Sequence, residues 1–354
     1  MNRIRNIKSV IQKNSQYIIS KNPGNMKKNI ELIKDSVSNI FCFFKSINNA
    51  YILIYKNNLI YIISYDLTHS QKLTQIKFLN FDIISEIKHF LDKINKRDLI
   101  LFTNFDTIKI FNLANWTCIL QIKENINKIT NRILGVVYRY KSLDKNGGIN
   151  ICIFENNKQN YIVTSNLNSQ YFILYDLNGN KIKNIKTPNE KNLIIEKYKN
   201  FIISGNYNGC SSYNFNSKTF KNYKIINKGK MNYKVYNLVV YKDKQGIIKL
   251  IAKAQQTANI DRYCIFIWDF NSSNFINKID FSIVQFDSGI KLWNENYLIL
   301  GAGIKFRIYH LFKHQFTQDI EYHDCLYFEI IIHPKFGKCI IYSDSNQIIH
   351  ILHD

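Results

Sequence analysis

The feature that most restricts how this chain can fold is a six-residue pattern that returns along most of its length. Alternating apolar residues lead to an aromatic, then Asp, Asn or His, then another apolar residue. It reads Ile62-Ile63-Ser64-Tyr65-Asp66-Leu67, then Ile108-Lys109-Ile110-Phe111-Asn112-Leu113, then Phe172-Ile173-Leu174-Tyr175-Asp176-Leu177. A weaker copy is Ser211-Ser212-Tyr213-Asn214-Phe215, and the clearest is Ile265-Phe266-Ile267-Trp268-Asp269-Phe270. Phe306-Arg307-Ile308-Tyr309-His310-Leu311 and Ile349-His350-Ile351-Leu352-His353 follow. The gaps from Tyr65 through Leu352 are 46, 64, 38, 55, 41 and 43 residues. A blade of four short strands takes about 40–45 residues, so the pattern predicts one blade per copy with two insertions. The longer gaps hold Ile149 to Phe154, read as an extra strand, and a hairpin through Asp243-Lys244-Gln245-Gly246, read as an insertion.

Each copy has a short apolar run of about five residues or fewer before it, such as Leu99–Phe102 or Tyr297–Leu300, and an alternating strand after it, such as Cys118–Ile122. Short β-branched and aromatic runs separated by Asn, Asp, Gly and Ser predict a closed all-β architecture. Three motifs make this specific. Trp268-Asp269 is one; Ile332-His333-Pro334-Lys335-Phe336-Gly337-Lys338, running into Cys339–Asp344, is the second; Phe201-Ile202-Ile203-Ser204-Gly205-Asn206 is the third. In these residues the chain resembles the WD40-repeat family over residues 28–354.

The resemblance implies a single seven-bladed β-propeller in which the N-terminal strand Asn29–Ile33 completes the last blade. The seventh copy supplies only three strands before Asp354, which leaves that place open. The family's glycine-histidine dipeptide is missing and its Trp survives once, so packing of Tyr, Phe, Ile and Leu is expected to replace its polar network. Residues 1–27 form a separate basic segment with Ile4, Ile7 and Ile11 at helical spacing. No Asp or Glu occurs in the first thirty residues, which sets a mitochondrial alternative beside the expected cytoplasmic location.

The seven cysteines stand singly and several lie in apolar runs, as reduced buried thiols would. His310, His314, His323, His333, His350 and His353 lack Cys partners at finger-like spacing, so no metal is expected, and no cofactor. Gly301-Ala302-Gly303 follows a strand but opens no helix, which fails the context of a dinucleotide fold. Acidic residues arrive once per blade, suiting turns rather than a catalytic pair.

The expected function is therefore a non-catalytic scaffold binding other proteins in a multiprotein complex. Its contact residues are sought in the loops between second and third strands: Phe105, Leu167, Tyr207, Arg262 and Lys305. The net charge of +22 supports an alternative, a basic propeller that binds RNA, another polyanion or an acidic protein tail. Against it stands the ratio of 41 Lys to 7 Arg, because Arg is the usual reader of phosphate and guanine. A propeller enzyme is the third reading.

Overall fold

The computed structural model describes residues 28–33, 39–45, 50–56, 59–66, 71–80, 86–103, 107–123, 149–156, 159–166, 170–188, 192–225, 232–259, 262–282, 289–302, 304–321, 327–333, 336–344 and 348–353; for residues 28–80 it gives strand pairing alone. The basic segment 1–27 lies outside these residues.

Strand β1 (Lys28–Ile33) comes first. β2 (Asn39–Lys45), β3 (Ala50–Lys56), β4 (Leu59–Asp66) and β5 (Gln71–Asn80) then form an antiparallel sheet in that order. The same order holds for β6 (Glu86–Asp92), β7 (Arg97–Thr103), β8 (Thr107–Asn112) and β9 (Thr117–Lys123). It holds again for β10 (Ile149–Asn156), β11 (Gln159–Asn166), β12 (Tyr171–Tyr175) and β13 (Lys181–Lys186). β14 (Ile194–Tyr198), β15 (Phe201–Asn206), β16 (Gly209–Asn214) and β17 (Thr219–Lys224) repeat it. So do β18 (Tyr233–Lys242), β19 (Ile248–Gln256), β20 (Arg262–Asp269) and β21 (Phe275–Ser282). The sixth set is β22 (Gly289–Leu292), β23 (Tyr297–Ala302), β24 (Lys305–His310) and β25 (Gln315–Glu321).

These six blades of consecutive strands make the protein a β-propeller, with no helix among the described residues. Their first strands lie side by side, β2 against β6, β6 against β10, and so on to β22. One further sheet combines both parts of the chain, in the order β1-β28-β27-β26, from β26 (Tyr327–His333), β27 (Gly337–Ser343) and β28 (Ile349–His353).

Two expectations need correction. Ile149–Asn156 is no extra strand: it is the first strand of its own blade, paired with β11 from Ile149↔Asn166 to Asn156↔Gln159. The Asp243–Gly246 hairpin is likewise the ordinary turn joining first and second strands of its blade. In the 64-residue gap the added length lies in residues 124–148, between β9 and β10, and in the 55-residue gap part of it lies in a long first strand. β18 alone runs ten residues.

The repeating pattern has a local cause. Its aromatic falls on the third strand of each of the six blades, and in five of them the polar residue after it caps the turn into the fourth. Asp269 Oδ1 accepts from Ser272 N at 2.6 Å, Asn214 Oδ1 from Asn216 N at 2.8 Å, and Asp176 Oδ1 from Asn178 N at 2.9 Å. His310 does the same with Nδ1, which accepts from Phe312 N and Lys313 N, both at 3.2 Å. A left-handed residue closes four of these turns: Trp116 (φ 58°), Lys218 (φ 57°), Ser273 (φ 64°) and His314 (φ 53°). The apolar residue that ends the pattern donates its N–H to the carbonyl at or just before the second strand: Leu113 to Asp98, Phe215 to Asn200, Phe270 to Ile248, and Leu311 to Asn296. So a side chain that prefers turns over strands marks each strand end.

The caps predict acid sensitivity. At Asp269 the Ser272 N–H holds the carboxyl below its ordinary value. At Asp176 desolvation pushes upward but is outweighed by bonds from Asn180, Asn178 and Gly179. A carboxyl whose folded pKa is depressed contributes stability above its unfolded value and loses it as pH falls through the folded one. Thermal unfolding followed between about pH 6 and pH 2 should show the midpoint falling below roughly pH 4. Asp176→Asn with Asp269→Asn should flatten that fall, and an unchanged slope would show that the caps do not titrate with folding.

Candidate partner-binding face

In an antiparallel blade successive turns alternate between two ends, so all second-to-third-strand turns share one face. Tyr207 lies in the turn between β15 and β16, Arg262 opens β20, and Lys305 opens β24. The structure thus puts three of the five expected residues on the same face of three consecutive blades. Phe105 and Leu167 lie outside the described residues.

The Tyr207 turn is held from the next blade. Tyr207 bridges Lys234 in antiparallel fashion, and Lys234 Nζ stands 5.7 Å above the Tyr207 ring. Asn208, at φ 66°, donates its backbone N–H to Tyr233 O at 2.8 Å and accepts Tyr233 N on Oδ1 at 3.0 Å. Tyr207 remains 37% exposed, an aromatic displayed on a fixed support.

Arg262 is exposed, and its neighbour Tyr263 lies against a buried cation. Lys253 of β19 is fully buried, with its ammonium 5.2 Å from the Tyr263 ring centre and 5.9 Å from that of Phe281. Gln255 Nε2 donates to Tyr263 Oη at 2.9 Å, so the base of the Arg262 turn is stiffened by polar and ring contacts together. In the third blade Lys305 reaches Asp319 at 2.6 Å, and Arg307 shares that carboxylate at 3.2 Å while lying 4.0 Å over Phe316. Two cations on one carboxylate leave the site positive. Beside Lys305, Ile304 is more than half exposed.

Ile304 and Lys234 were not legible in the sequence. Ile304 sits within a Gly-rich turn whose glycines draw attention first. Lys234 gains its place by pairing with a residue of the preceding blade, and nothing local signals that.

The inner strands carry charge as well. Lys88 of β6 lies 3.2 Å from Glu86 and 3.3 Å from Glu196 of β14, so a single ammonium links strands two blades apart. Glu86 also accepts Ile151 N of β10 at 2.8 Å. Desolvation alone would lower the Lys88 pKa, yet the carboxylates of Glu196 and Glu86 raise it above the usual lysine range. Lys291 of β22 pairs with Glu329 of β26 at 2.7 Å. These contacts tie first strands of different sheets to one another. Buried Cys152, beside them, has its thiol pushed upward by burial and by Glu196, which keeps it a poor nucleophile.

Among the described cysteines, Cys152, Cys210, Cys264 and Cys339 are free and buried, and Cys118 is free and exposed. No group of three or more His, Cys, Asp or Glu with metal-holding geometry occurs among the described residues. No protein-family model matches the chain, and no curated protein matches it either.

Proposed function

We propose that the chain is a seven-bladed, WD40-like propeller whose ring is closed by β1, and that it serves as a non-catalytic scaffold for other proteins. The closure reading is supported by the β1-β28-β27-β26 sheet and by contact between β26 and β2. The function reading is carried by one observation: Tyr207, Arg262 and Ile304 project from braced turns at the same end of three successive blades. Aromatic and Arg side chains on rigid supports are the residues that anchor protein interfaces, because little entropy is lost when they are buried. A location in the cytoplasm belongs to the same proposal.

The test is quantitative affinity purification from the source cells with the wild-type chain and the double variant Tyr207→Ala, Arg262→Ala. Loss of two anchors at about 2 kcal/mol each predicts that a salt-tolerant partner set drops by at least tenfold, with the melting midpoint unchanged. An identical partner list from the variant would remove this face from the interface. The polyanion reading rests on Lys181, Lys183 and Lys186, exposed along the outer strand β13. Lysines on an edge strand also keep sheets from pairing with each other. A partner set dominated by RNA and lost steeply between 50 and 200 mM salt would favour that reading.

A further inference from the structure

The opposite face, made of first-to-second and third-to-fourth-strand turns, carries the most exposed apolar side chain on the described surface. Phe312 is 72% exposed in the turn between β24 and β25. Ile332, at the end of β26, is 56% exposed, and Ile247, in the turn before β19, is 39% exposed. Contacts between the turns make these one surface. Lys244 lies 3.6 Å from Glu295, joining the turn before β19 to the turn before β23. The Tyr297 and His310 rings stand 4.9 Å apart, joining that second turn to the one bearing Phe312. Lys338, which pairs with Ile332, lies 5.1 Å over the Trp293 ring and donates to the Trp293 carbonyl.

The charge around these side chains is one-sided. Lys242, Lys244, Lys249, Lys313 and Lys338 lie in or beside these turns, against three acids, Asp243, Glu295 and Asp269, the last a turn cap opposite Lys249. Asp243 is occupied by Lys249 at 3.2 Å and by the N–H groups of Gln245 and Ile247 at 3.0 and 2.8 Å. Glu295 is engaged by Lys244. His310 registers the surplus: burial first, then Lys313 and Lys244, depress its pKa. Apolar tips ringed by lysines complement a ligand that has apolar side chains between carboxylates.

We infer that this patch docks a short acidic segment of a partner protein, with an aliphatic or aromatic side chain seated at Phe312 and carboxylates on Lys244 and Lys313. A nucleic acid fits less well, because aliphatic Ile247 and Ile332 offer bases no stacking plane and the patch has no Arg. The inference does not depend on the Tyr207 face.

The test pans a displayed library of random 12-residue peptides on the immobilised full chain. Enriched peptides are expected to place Asp or Glu beside Leu, Ile, Phe or Trp. By fluorescence anisotropy the strongest of them, made synthetically, should bind Phe312→Asp at least thirtyfold more weakly. Lys244→Glu with Lys313→Glu should weaken it at least tenfold, and Tyr207→Ala by less than twofold. Phe312→Ser, with a melting curve matching the wild type, guards against a folding defect. The inference is overturned by a panning that enriches nothing over bare matrix, or by peptides that bind Phe312→Asp unchanged. It is overturned equally if an oligouridylate 12-mer displaces the peptide with higher affinity, or if light scattering shows a dimer that Phe312→Asp dissolves.

Discussion

Deleting residues 1–34 lowers the unfolding midpoint by roughly 10–20 °C, or leaves protein that aggregates where the full chain stays dispersed. β1 makes five residue pairings with β28, from Lys28↔His353 to Ile33↔Ile349. At roughly 1 kcal/mol net per backbone hydrogen bond the loss is about 5 kcal/mol, and each kcal/mol shifts a chain of this size by about 2–4 °C. The second half of the effect is exposure. All five residues of β28 are buried, so the truncation bares an apolar strand whose free edge invites pairing with another copy. Ile30→Pro tests the same contact without shortening the chain, since proline removes a ladder donor opposite Ile351. Calorimetry with light scattering reads both effects. A midpoint within about 2 °C of the full chain would show that β1 does not hold the last sheet, and the closure proposal would fall with it.

Much of the fold was legible because its repeating unit has a local cause. The aromatic marks a third strand and the polar residue after it caps the next turn, so Asp269, Asn214, Asp176 and even His310 announce strand ends in the sequence itself. Blade length was less legible. It depends on the connections between blades as well as on strand length, and nothing in the residues of Ile149–Asn156 says whether it is a first strand or an added one. The site was half legible for the same reason. Turn position follows from strand order, which placed Tyr207, Arg262 and Lys305 on a common face. Partners across a blade boundary are set by packing: Lys234 over Tyr207 joins residues of two blades, and Lys88 with Glu196 spans 108 positions.

Apolar side chains make up most of the described core, and a few buried polar contacts join them. Buried Asp344 and His350 meet at 2.8 Å within the last sheet. Between blades the hydroxyl of Tyr223 donates to Phe270 O at 2.9 Å and lies 3.1 Å from Ser212 Oγ. A phenol therefore joins two blades across the seam. Its burial, partly countered by the Ser212 bond, raises the Tyr223 pKa far above neutrality, so it stays a donor.

Trp268→Ala should cause the largest loss of any single side-chain truncation, about 3–5 kcal/mol. Trp268 is wholly buried in the seam between the β14–β17 and β18–β21 blades, packed with Tyr223, Phe266 and Phe275, and its Nε1 donates to Lys224 O at 3.2 Å. Truncation leaves a cavity and removes the partner of that carbonyl; Trp268→Phe keeps most of the packing and should cost less than half as much. The same seam resists added volume. A Cβ at Gly205 would meet Val235 Cγ1 at 2.5 Å and Ile194 Cγ2 at 2.8 Å, so Gly205→Ala should cost about 1–3 kcal/mol. Val235→Ala should recover part of it, because the two positions share one space and their effects are coupled. The form of unfolding distinguishes a ring from a row of independent blades. In a closed ring each blade braces two neighbours, so Trp268→Ala shifts one cooperative transition as a whole. Were the blades independent, calorimetry would resolve an early transition for two of them while the rest melted at the wild-type temperature.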